Sequence, residues 1–311
     1  MLTALAGGVG AARFLAGLVD VVDPADVTAI VNTADDDEFH GLWVSPDLDS
    51  VTYRLAGAAN PETGWGLAGE TFHAIDALTR YGVDTWFRLG DRDLATHLYR
   101  TQRRHEGATM SEITAEIASA WGVQVRLLPM TDDRVATWIT VVDDGCEIEL
   151  AMQEWFVHRR SEPPVVGVRF DGADTASPAL GVLDAIEQAE KILVCPSNPV
   201  ISIGPILSVP GIRDALVRRR DRVVGVSPIV GGRPLRGPAD RLMDPLGIEV
   251  SCVGVAQAYR EFCAVLVIDA QDAHLAPEVE ALGVRAVVAD TVMRDARVAA
   301  ALARHTLAAV A

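Results

Sequence analysis

Basic residues are scarce in this sequence of 311 residues, and lysine is almost absent. The chain has 27 lysine and arginine residues against 43 acidic ones, a formal net charge of −16, and its one lysine is Lys191. Proteins that bind nucleic acid without regard to sequence draw their binding energy from clustered lysine and arginine. We therefore expect no nucleic-acid partner, and we expect any bound phosphate to be held by a local site.

Cysteine is also rare, and the cysteines present are far apart. A zinc site or a redox dithiol needs closely spaced thiols, and the sequence contains no C-x-x-C pair. We expect four unpaired, buried and inert thiols, as is usual for free cysteine. They are Cys146, Cys195, Cys252 and Cys263.

Long apolar runs are missing as well. No stretch approaches the roughly 18 apolar residues of a membrane-spanning helix, and the opening LTALA at 2–6 is typical of a strand rather than of a signal peptide. Hydrophobic residues make up 50% of the chain and charged residues 23%, as in globular proteins. We expect a cytoplasmic protein without a membrane partner, folded as one large α/β domain or two unequal lobes.

Apolar segments of strand length alternate with helical patterns along most of the chain. This alternation predicts a doubly wound, mainly parallel Rossmann-like sheet, covered by helices on both faces and carrying its sites at the carboxyl ends of the strands. Segments 137–142 and 147–150 flank a DDGC turn and predict a hairpin instead. We predict a nucleotide-binding core at 1–45 and 175–311, with a smaller, helix-rich and hairpin-containing substrate lobe inserted at 46–174. The other predicted strands are 2–6, 27–31, 85–89, 124–128, 165–170, 191–194, 222–226, 248–253, 264–269 and 285–288.

The first candidate for chemistry is the glycine-rich segment AGGVGAA at 6–12, between the first strand and the first helix. Glycines let the backbone approach a phosphate at the positive end of a helix, which makes Gly8 and Gly10 candidate phosphate contacts. The alternative is a tight turn that needs small residues. A dinucleotide site also needs an acid at the end of the second strand. Asn32 stands there, which disfavours an NAD-dependent dehydrogenase.

Acidic residues are concentrated where predicted strands end. These are DDDE at 35–38, Asp47 with Asp49, and Asp91 with Asp93. Hard cations such as Mg²⁺ take oxygen ligands, and they neutralise a diphosphate bound beside a glycine loop. We expect Mg²⁺ here, although a run of charges can also be a solvated loop. Its candidate ligands are Asp36 and Asp49.

Two further loops, at 195–199 and 227–232, follow predicted strands and are rich in proline and glycine. Loops of this kind fix N–H groups toward one anion, and a nearby arginine adds a bidentate phosphate donor. The alternative is a pair of stiffened turns with solvated arginines. The candidate nucleotide contacts are Ser197, Asn198, Gly231, Gly232 and Arg236.

Seven blocks of the sequence occur in an order that is characteristic of one family. They are VNTADDDE (31–38), WVSPDLD (43–49), GWG (64–66), WFRLGDRDLATH (86–97), PMTDD (129–133), CPSNP (195–199) and SPIVGG (227–232). Together they resemble the 2-phospho-L-lactate transferase family, whose members make the deazaflavin coenzyme F-420. The resemblance extends from residue 2 to about residue 245.

The resemblance implies a dimeric, Mg²⁺-dependent transferase. Members join a phospho-acid, carried on GMP as a diphosphate, to the terminal ribityl hydroxyl of 7,8-didemethyl-8-hydroxy-5-deazariboflavin, and they release GMP. The transferred group would be phosphoenolpyruvyl, 2-phospholactyl or phosphoglyceryl, and the arginine-rich composition, typical of GC-rich bacteria, favours the enolpyruvyl form.

The family's deazaflavin contacts fall on Asp49 and Arg88 of this sequence. We add Asp91 and Asp93, which follow Arg88 closely, as further candidates for this part of the site. Asp49 is also our candidate for the base that takes the proton of the ribityl hydroxyl. The main alternative function is a non-enzymatic regulatory protein of the same superfamily that binds a uridine sugar nucleotide.

Overall fold

A computed structural model of the chain describes residues 1–310. Its strands are β1 (Leu2–Ala6), β2 (Val27–Val31), β3 (Asp37–Phe39), β4 (Leu42–Val44), β5 (Arg126–Pro129), β6 (Ala136–Asp143), β7 (Cys146–Ala151), β8 (Val165–Asp171), β9 (Lys191–Val194), β10 (Val223–Val226), β11 (Ile229–Val230), β12 (Arg233–Pro234), β13 (Val265–Asp269) and β14 (Arg285–Ala289). Its α-helices are α1 (Gly8–Val19), α2 (Pro46–Leu55), α3 (His73–Leu78), α4 (Leu94–His105), α5 (Met110–Ala120), α6 (Val182–Gln188), α7 (Gly204–Ser208), α8 (Ile212–Arg218), α9 (Ala239–Met243), α10 (Cys252–Tyr259), α11 (Ala276–Ala281) and α12 (Ala296–Ala308).

Seven parallel strands form the central sheet in the order β14-β13-β10-β9-β1-β2-β5. Because β1 pairs with β2 on one side and with β9 on the other, the direction of strand order reverses between β1 and β9. Ligands of doubly wound folds bind at the carboxyl ends of the strands beside such a switch point. The predicted fold class is confirmed, and the switch point places a candidate site at the ends of β1, β2 and β9.

Both faces of the sheet are buried, since alternate residues of its strands enter two different cores. Leu5 and Ile30 belong to one buried cluster, whereas Ala4 and Val31 belong to the other. Burial on both faces explains why these strands are uninterrupted apolar runs in the sequence. On one face α1 packs against α2 and α12, which brings α2 alongside the glycine turn.

The hairpin is confirmed as β6 and β7, which join β8 in a separate three-stranded antiparallel sheet. The division into a core and an inserted lobe stays a prediction. Within the range predicted for the lobe, 46–174, strand β5 belongs to the central sheet, where it pairs with β2. The sequence therefore returns to the sheet once before it forms the hairpin.

Two predicted strands are wrong. Segment 85–89 is an extended loop, in which Phe87 stacks on Phe39 with ring centroids 3.7 Å apart, so its apolar side chains serve a small local core. Segment 248–253 leads into α10, where the Ser251 hydroxyl accepts the N–H groups of two following residues. A serine cap thus overrides the strand preference of the β-branched residues around it.

Among residues 1–310, no single helix has the length and apolar composition of a membrane span. Pro199–Ser208 and Ile212–Arg218 reach the length and apolar composition of a span only when they are taken together, and the pair is bent by 93°.

Candidate active site

The glycine turn between β1 and α1 is the first part of the site. Gly8 begins α1 with a φ of 70°, a conformation that residues with a Cβ rarely adopt. Its N–H lies close enough to the carboxylate of Asp47 to lower the pKa of that acid. A Cβ on Gly10 would overlap the carbonyl oxygen of Pro196. The glycines therefore allow the turn to pass close to both neighbouring segments.

The loop after β9 is tied to this glycine turn. The Ser197 hydroxyl donates to the carbonyl oxygen of Gly7 at 2.8 Å. The Asn198 side chain accepts the N–H of Val200 at 2.9 Å and caps the π-helical turn Pro199–Ile203. The two loops meet at the carboxyl ends of β1 and β9. They bring together all four of their predicted contact residues, which are Gly8, Gly10, Ser197 and Asn198.

Asn32, at the end of β2, connects two buried carboxylates. Its amide donates to Asp47 at 2.9 Å and to Asp35 at 3.3 Å. Burial raises the pKa of both acids, to about 6 for Asp47 and well above its usual range for Asp35, whose neighbour Asp47 raises it further. Asn32 is thus engaged inside the protein, as expected for a residue that does not bind a ribose.

Asp36 lies beside this pair and carries an unpartnered oxygen. The Ser45 hydroxyl donates to its Oδ2 at 2.6 Å, whereas its Oδ1 is buried without a hydrogen-bond partner in the described chain. Burial raises the pKa of Asp36 to about 7. A buried oxygen without a donor is costly, which makes this position suited to a cation or an ordered water.

Asp49, in the first turn of α2, forms a buried ion pair with Arg100 of α4. Arg100 Nη1 donates to Asp49 Oδ2 at 3.1 Å, and Nη2 donates to Oδ1. Both residues are almost fully buried, at 5% and 1% exposed. A bidentate pair fixes the carboxylate in direction as well as in charge, and it leaves lone pairs on both oxygens.

Three more side chains extend this pair into a network. His97 lies with Nδ1 3.8 Å from Asp49 Oδ2 and with Nε2 3.1 Å from Asp93 Oδ2. The Tyr53 hydroxyl donates to the other oxygen of Asp93. Burial raises the pKa of Asp93, but the nearby His97 and the hydrogen bond from Tyr53 outweigh it and hold that pKa below its ordinary value. The network joins α2 to α4 around Asp49.

Motif reasoning missed Arg100, His97 and Tyr53 as partners of Asp49, although a signal was present. Tyr53 follows Asp49 by four residues, and His97 follows Asp93 by four, so each pair shares one face of a helix. Arg100 continues the face of α4 by a further turn. Polar residues spaced along one face of each helix indicate that the helices meet through charged side chains.

Arg88 and Asp91 lie apart from Asp49, and neither stands at a strand end. Arg88 pairs with Asp76 of α3 at 2.8 Å and is 45% exposed, so it is not a partner of Asp91 or Asp93. Asp91 accepts the N–H of His73 at 2.9 Å and caps α3 from a distance. The predicted deazaflavin contacts are therefore divided between the buried network and the surface around α3.

The predicted contacts after β10 lie in and beyond the β11–β12 hairpin. Gly231 and Gly232 adopt positive φ in its turn. The N–H of Gly231 donates to both oxygens of the buried Asp272, at 3.0 and 3.1 Å, so it is already engaged. Arg236 donates to the carbonyl oxygen of Thr63 at 2.8 Å and is exposed.

The residues fit a magnesium ion in the way such ions are usually bound. No group of three or more acidic, histidine or cysteine side chains is arranged for a metal among residues 1–310. Mg²⁺, however, is commonly held by one or two carboxylates, with substrate phosphates and water completing its shell. Asp36 offers an unpartnered buried oxygen. The charges of Asp49 and Arg100 both act on the pKa of Asp36, Asp49 raising it and Arg100 lowering it.

The whole chain is similar to transferases of one family. The model of the family described as 2-phospho-L-lactate transferase CofD matches residues 2–306. The phosphoenolpyruvate transferase of Streptomyces griseus is 45% identical over 308 residues, which cover 98% of this chain and 97% of the relative. The phosphoenolpyruvate transferase of Streptomyces coelicolor is 46% identical over 308 residues, with the same coverage.

A solved structure supports the fold. Protein BH3568 of Bacillus halodurans, described as a member of the UPF0052 family, superimposes with a TM-score of 0.62 and covers 98% of both chains. The two sequences are 18% identical, so the likeness concerns the arrangement of the chain alone.

Proposed function

Because the chain belongs to the 2-phospho-L-lactate transferase family and is a transferase enzyme, we propose that it moves a phosphoenolpyruvyl group from a GMP-linked diphosphate to a deazaflavin. The acceptor is 7,8-didemethyl-8-hydroxy-5-deazariboflavin, and the products are dehydro coenzyme F-420-0 and GMP. Full-length identity of about 45% to relatives named phosphoenolpyruvate transferase carries the proposal. The family description favours a 2-phospholactyl group as the second candidate, which gives coenzyme F-420-0 itself.

In the proposed reaction, the ribityl oxygen attacks the phosphorus that bears the three-carbon acid. A phosphorus–oxygen bond forms there, the bond to the bridging oxygen breaks, and GMP leaves with that electron pair. The proton of the hydroxyl goes to Asp49, which is our candidate general base. Arg100 fixes the direction of the Asp49 carboxylate, and a fixed base is what such a step requires.

Asp36 and Asp49 are the residues that would hold Mg²⁺, which when bound supplies charge neutralisation to the diphosphate and makes GMP a better leaving group. The chain's own contribution is to present the two carboxylates from separate elements. Asp36 follows β2, and Asp49 stands in the first turn of α2. Their common neighbour Arg100 limits the repulsion between them.

We assign the donor to the loops around the glycine turn and the acceptor to the region of Asp49, Arg88, Asp91 and Asp93. Gly8, Gly10, Ser197 and Asn198 lie where phosphates bind in doubly wound folds, and Gly232 with Arg236 would complete the donor site. By family membership we also propose a homodimer that works in the cytoplasm.

Calorimetric titration tests this proposal against the regulatory alternative. We expect the protein, in the presence of Mg²⁺, to bind both the deazaflavin precursor and a guanine nucleotide. If neither binds and a uridine sugar nucleotide does, the proposed transferase activity is wrong and the regulatory function replaces it.

A further inference from the structure

Two arginines from separate elements, Arg13 and Arg236, lie beside Gly64, and the charge of a third, Arg54, acts on Arg13. A Cβ built on Gly64 would lie 3.0 Å from Nη1 of Arg236 and 3.6 Å from Nη2 of Arg13. Arg13 is on α1, and Arg54 stands in the last turn of α2, which packs against α1. Arg236 is exposed, while Arg13 and Arg54 are half-buried.

This arginine cluster, defined as Arg13, Arg54 and Arg236, contains no acid. Among residues 1–310, none of the observed ion pairs includes any of the three. Among the same residues 1–310, Arg54 Nε and Nη2 are buried and have no hydrogen-bond partner. Buried donors are satisfied in nearly all proteins, so these two indicate a missing acceptor.

The electrostatics agree with a missing anion. Burial lowers the pKa of Arg13, and the charges of Arg236 and Arg54 lower it further. Burial and Arg236 likewise lower the pKa of Arg54. Like charges held together cost free energy, and the cost is notable in a chain of net charge −16, which has acids available to pair with them.

The position of the cluster fits a ligand that also reaches the glycine turn. Val9, one residue after Gly8, contacts the same point beside Gly64 as Arg13 and Arg236 do. Arg236 also lines a cavity of about 490 Å³ whose walls carry three further arginines. An anion at the cluster would therefore have space on one side and the start of α1 on the other. The further arginines are Arg160, Arg233 and Arg241.

From this geometry we propose that Arg13, Arg54 and Arg236 form one anion site that takes a diphosphate. Three guanidinium groups match an anion of two or three negative charges that presents several oxygens, which a diphosphate does and a single carboxylate does not. The assignment to the donor's diphosphate rests on the proposed function. The binding of a diphosphate as such does not.

Titration with inorganic pyrophosphate, at fixed ionic strength and without deazaflavin, tests the site. We expect the native chain to bind it, and we expect Arg54→Gln and Arg236→Gln each to weaken binding roughly tenfold or more, the scale of one lost charged hydrogen bond. The exposed Arg236→Gln variant covers the case in which a change at Arg54 impairs folding. The control is Arg213→Gln on α8, whose side chain is 43% exposed and pairs with Glu261; it should bind as the native chain does.

Two results would overturn the site: no pyrophosphate binding by the native chain, or equal binding by the native chain and both cluster variants. A third result would also overturn the site: the cluster variants lose binding of phosphoenolpyruvate but keep binding of pyrophosphate. The proposed function fails separately. If the cluster variants lose pyrophosphate but the native chain transfers nothing to the deazaflavin, the anion site stands without the transferase reaction. If transfer and the KM for the donor are unchanged in Arg54→Gln, the reaction stands without the site.

Discussion

The two ends of helix α2 carry opposite charges that are treated in opposite ways. At its first turn, Asp49 is buried and paired with Arg100, so its charge is compensated within the chain. At its last turn, Arg54 lies among like charges and has buried donors without acceptors. Both arrangements suit the helix dipole, which favours acids at the start of a helix and bases at its end.

Only the last turn of α2 depends on a ligand for compensation of its charge. A compensated buried pair contributes its geometry without anything bound, whereas an uncompensated cluster gains its compensation only from an anion. In our account the acid end therefore provides a preformed catalytic carboxylate, and the basic end provides the affinity for the donor's phosphates.

Replacing the arginine at each end of α2 should give the largest difference in stability between the two ends. We expect Arg100→Met to lower the free energy of unfolding by about 3–5 kcal/mol, because it leaves the buried Asp49 without its counter-ion. Arg54→Met keeps a similar apolar stem and removes a repulsive charge, so its change should stay within about 0.5 kcal/mol. Urea unfolding of both variants measures this. Equal destabilisation would show that the two ends are not different.

Asp49→Asn tests, by its turnover, whether the carboxylate in the first turn of α2 is catalytic. An amide is a poor metal ligand and cannot take the ribityl proton, so we expect turnover to fall by roughly 100-fold or more. Steady-state release of GMP measures it. The variant should also be less stable, because Arg100 then lacks its acid, and assays therefore belong well below its melting temperature. Near-normal turnover would leave Asp49 a purely structural partner of Arg100.

Arg88→Ala tests a contact outside both ends. We expect it to weaken deazaflavin binding by about 1.5–3 kcal/mol and guanine-nucleotide binding far less, since its planar donors suit the polar edge of the ring or the ribityl oxygens. Fluorescence titration of both ligands measures the difference.

Asp76→Ala is the matched control for Arg88, because it removes the observed partner and keeps the guanidinium. It should retain deazaflavin affinity. If both variants lose affinity equally, Arg88 acts by fixing α3 rather than by contact with the ligand.

Salt should produce the smallest effect. Added chloride screens the repulsion in the arginine cluster, so the ligand-free native chain should gain a few tenths of a kcal/mol between low and moderate ionic strength. The gain should shrink in Arg54→Met. Thermal melting at several chloride concentrations measures it, and an identical salt response of the two proteins would contradict repulsion at this end.

Local patterns predicted the parts of the fold whose causes lie close together in sequence. The glycine turn at Gly8 follows from small residues between an apolar strand and a helix, and the β6–β7 hairpin follows from a DDGC turn. Segment 85–89 failed because its apolar residues pack on Phe39 and have no strand beside them. Burial of a short apolar run thus does not distinguish a strand from a loop over a local core.

The site could be predicted by residue type but not by partnership. Asp36 and Asp49 are evident as acids near strand and helix ends, whereas the pairing of Asp49 with Arg100 joins residues that are 51 positions apart. The arginine cluster joins Arg13 to Arg236, and no periodicity connects them. Such contacts depend on the packing of α1, α2 and α4, which the sequence does not specify locally.

Mass spectrometry of the product tests the central claim most directly. The native protein is incubated with the deazaflavin precursor, Mg²⁺ and the GMP-linked phosphoenolpyruvyl or 2-phospholactyl donor in separate reactions. Our account predicts that the deazaflavin gains the mass of the phosphoenolpyruvyl group from the first donor, with one GMP released for each acceptor converted. A deazaflavin of unchanged mass with both donors would contradict it.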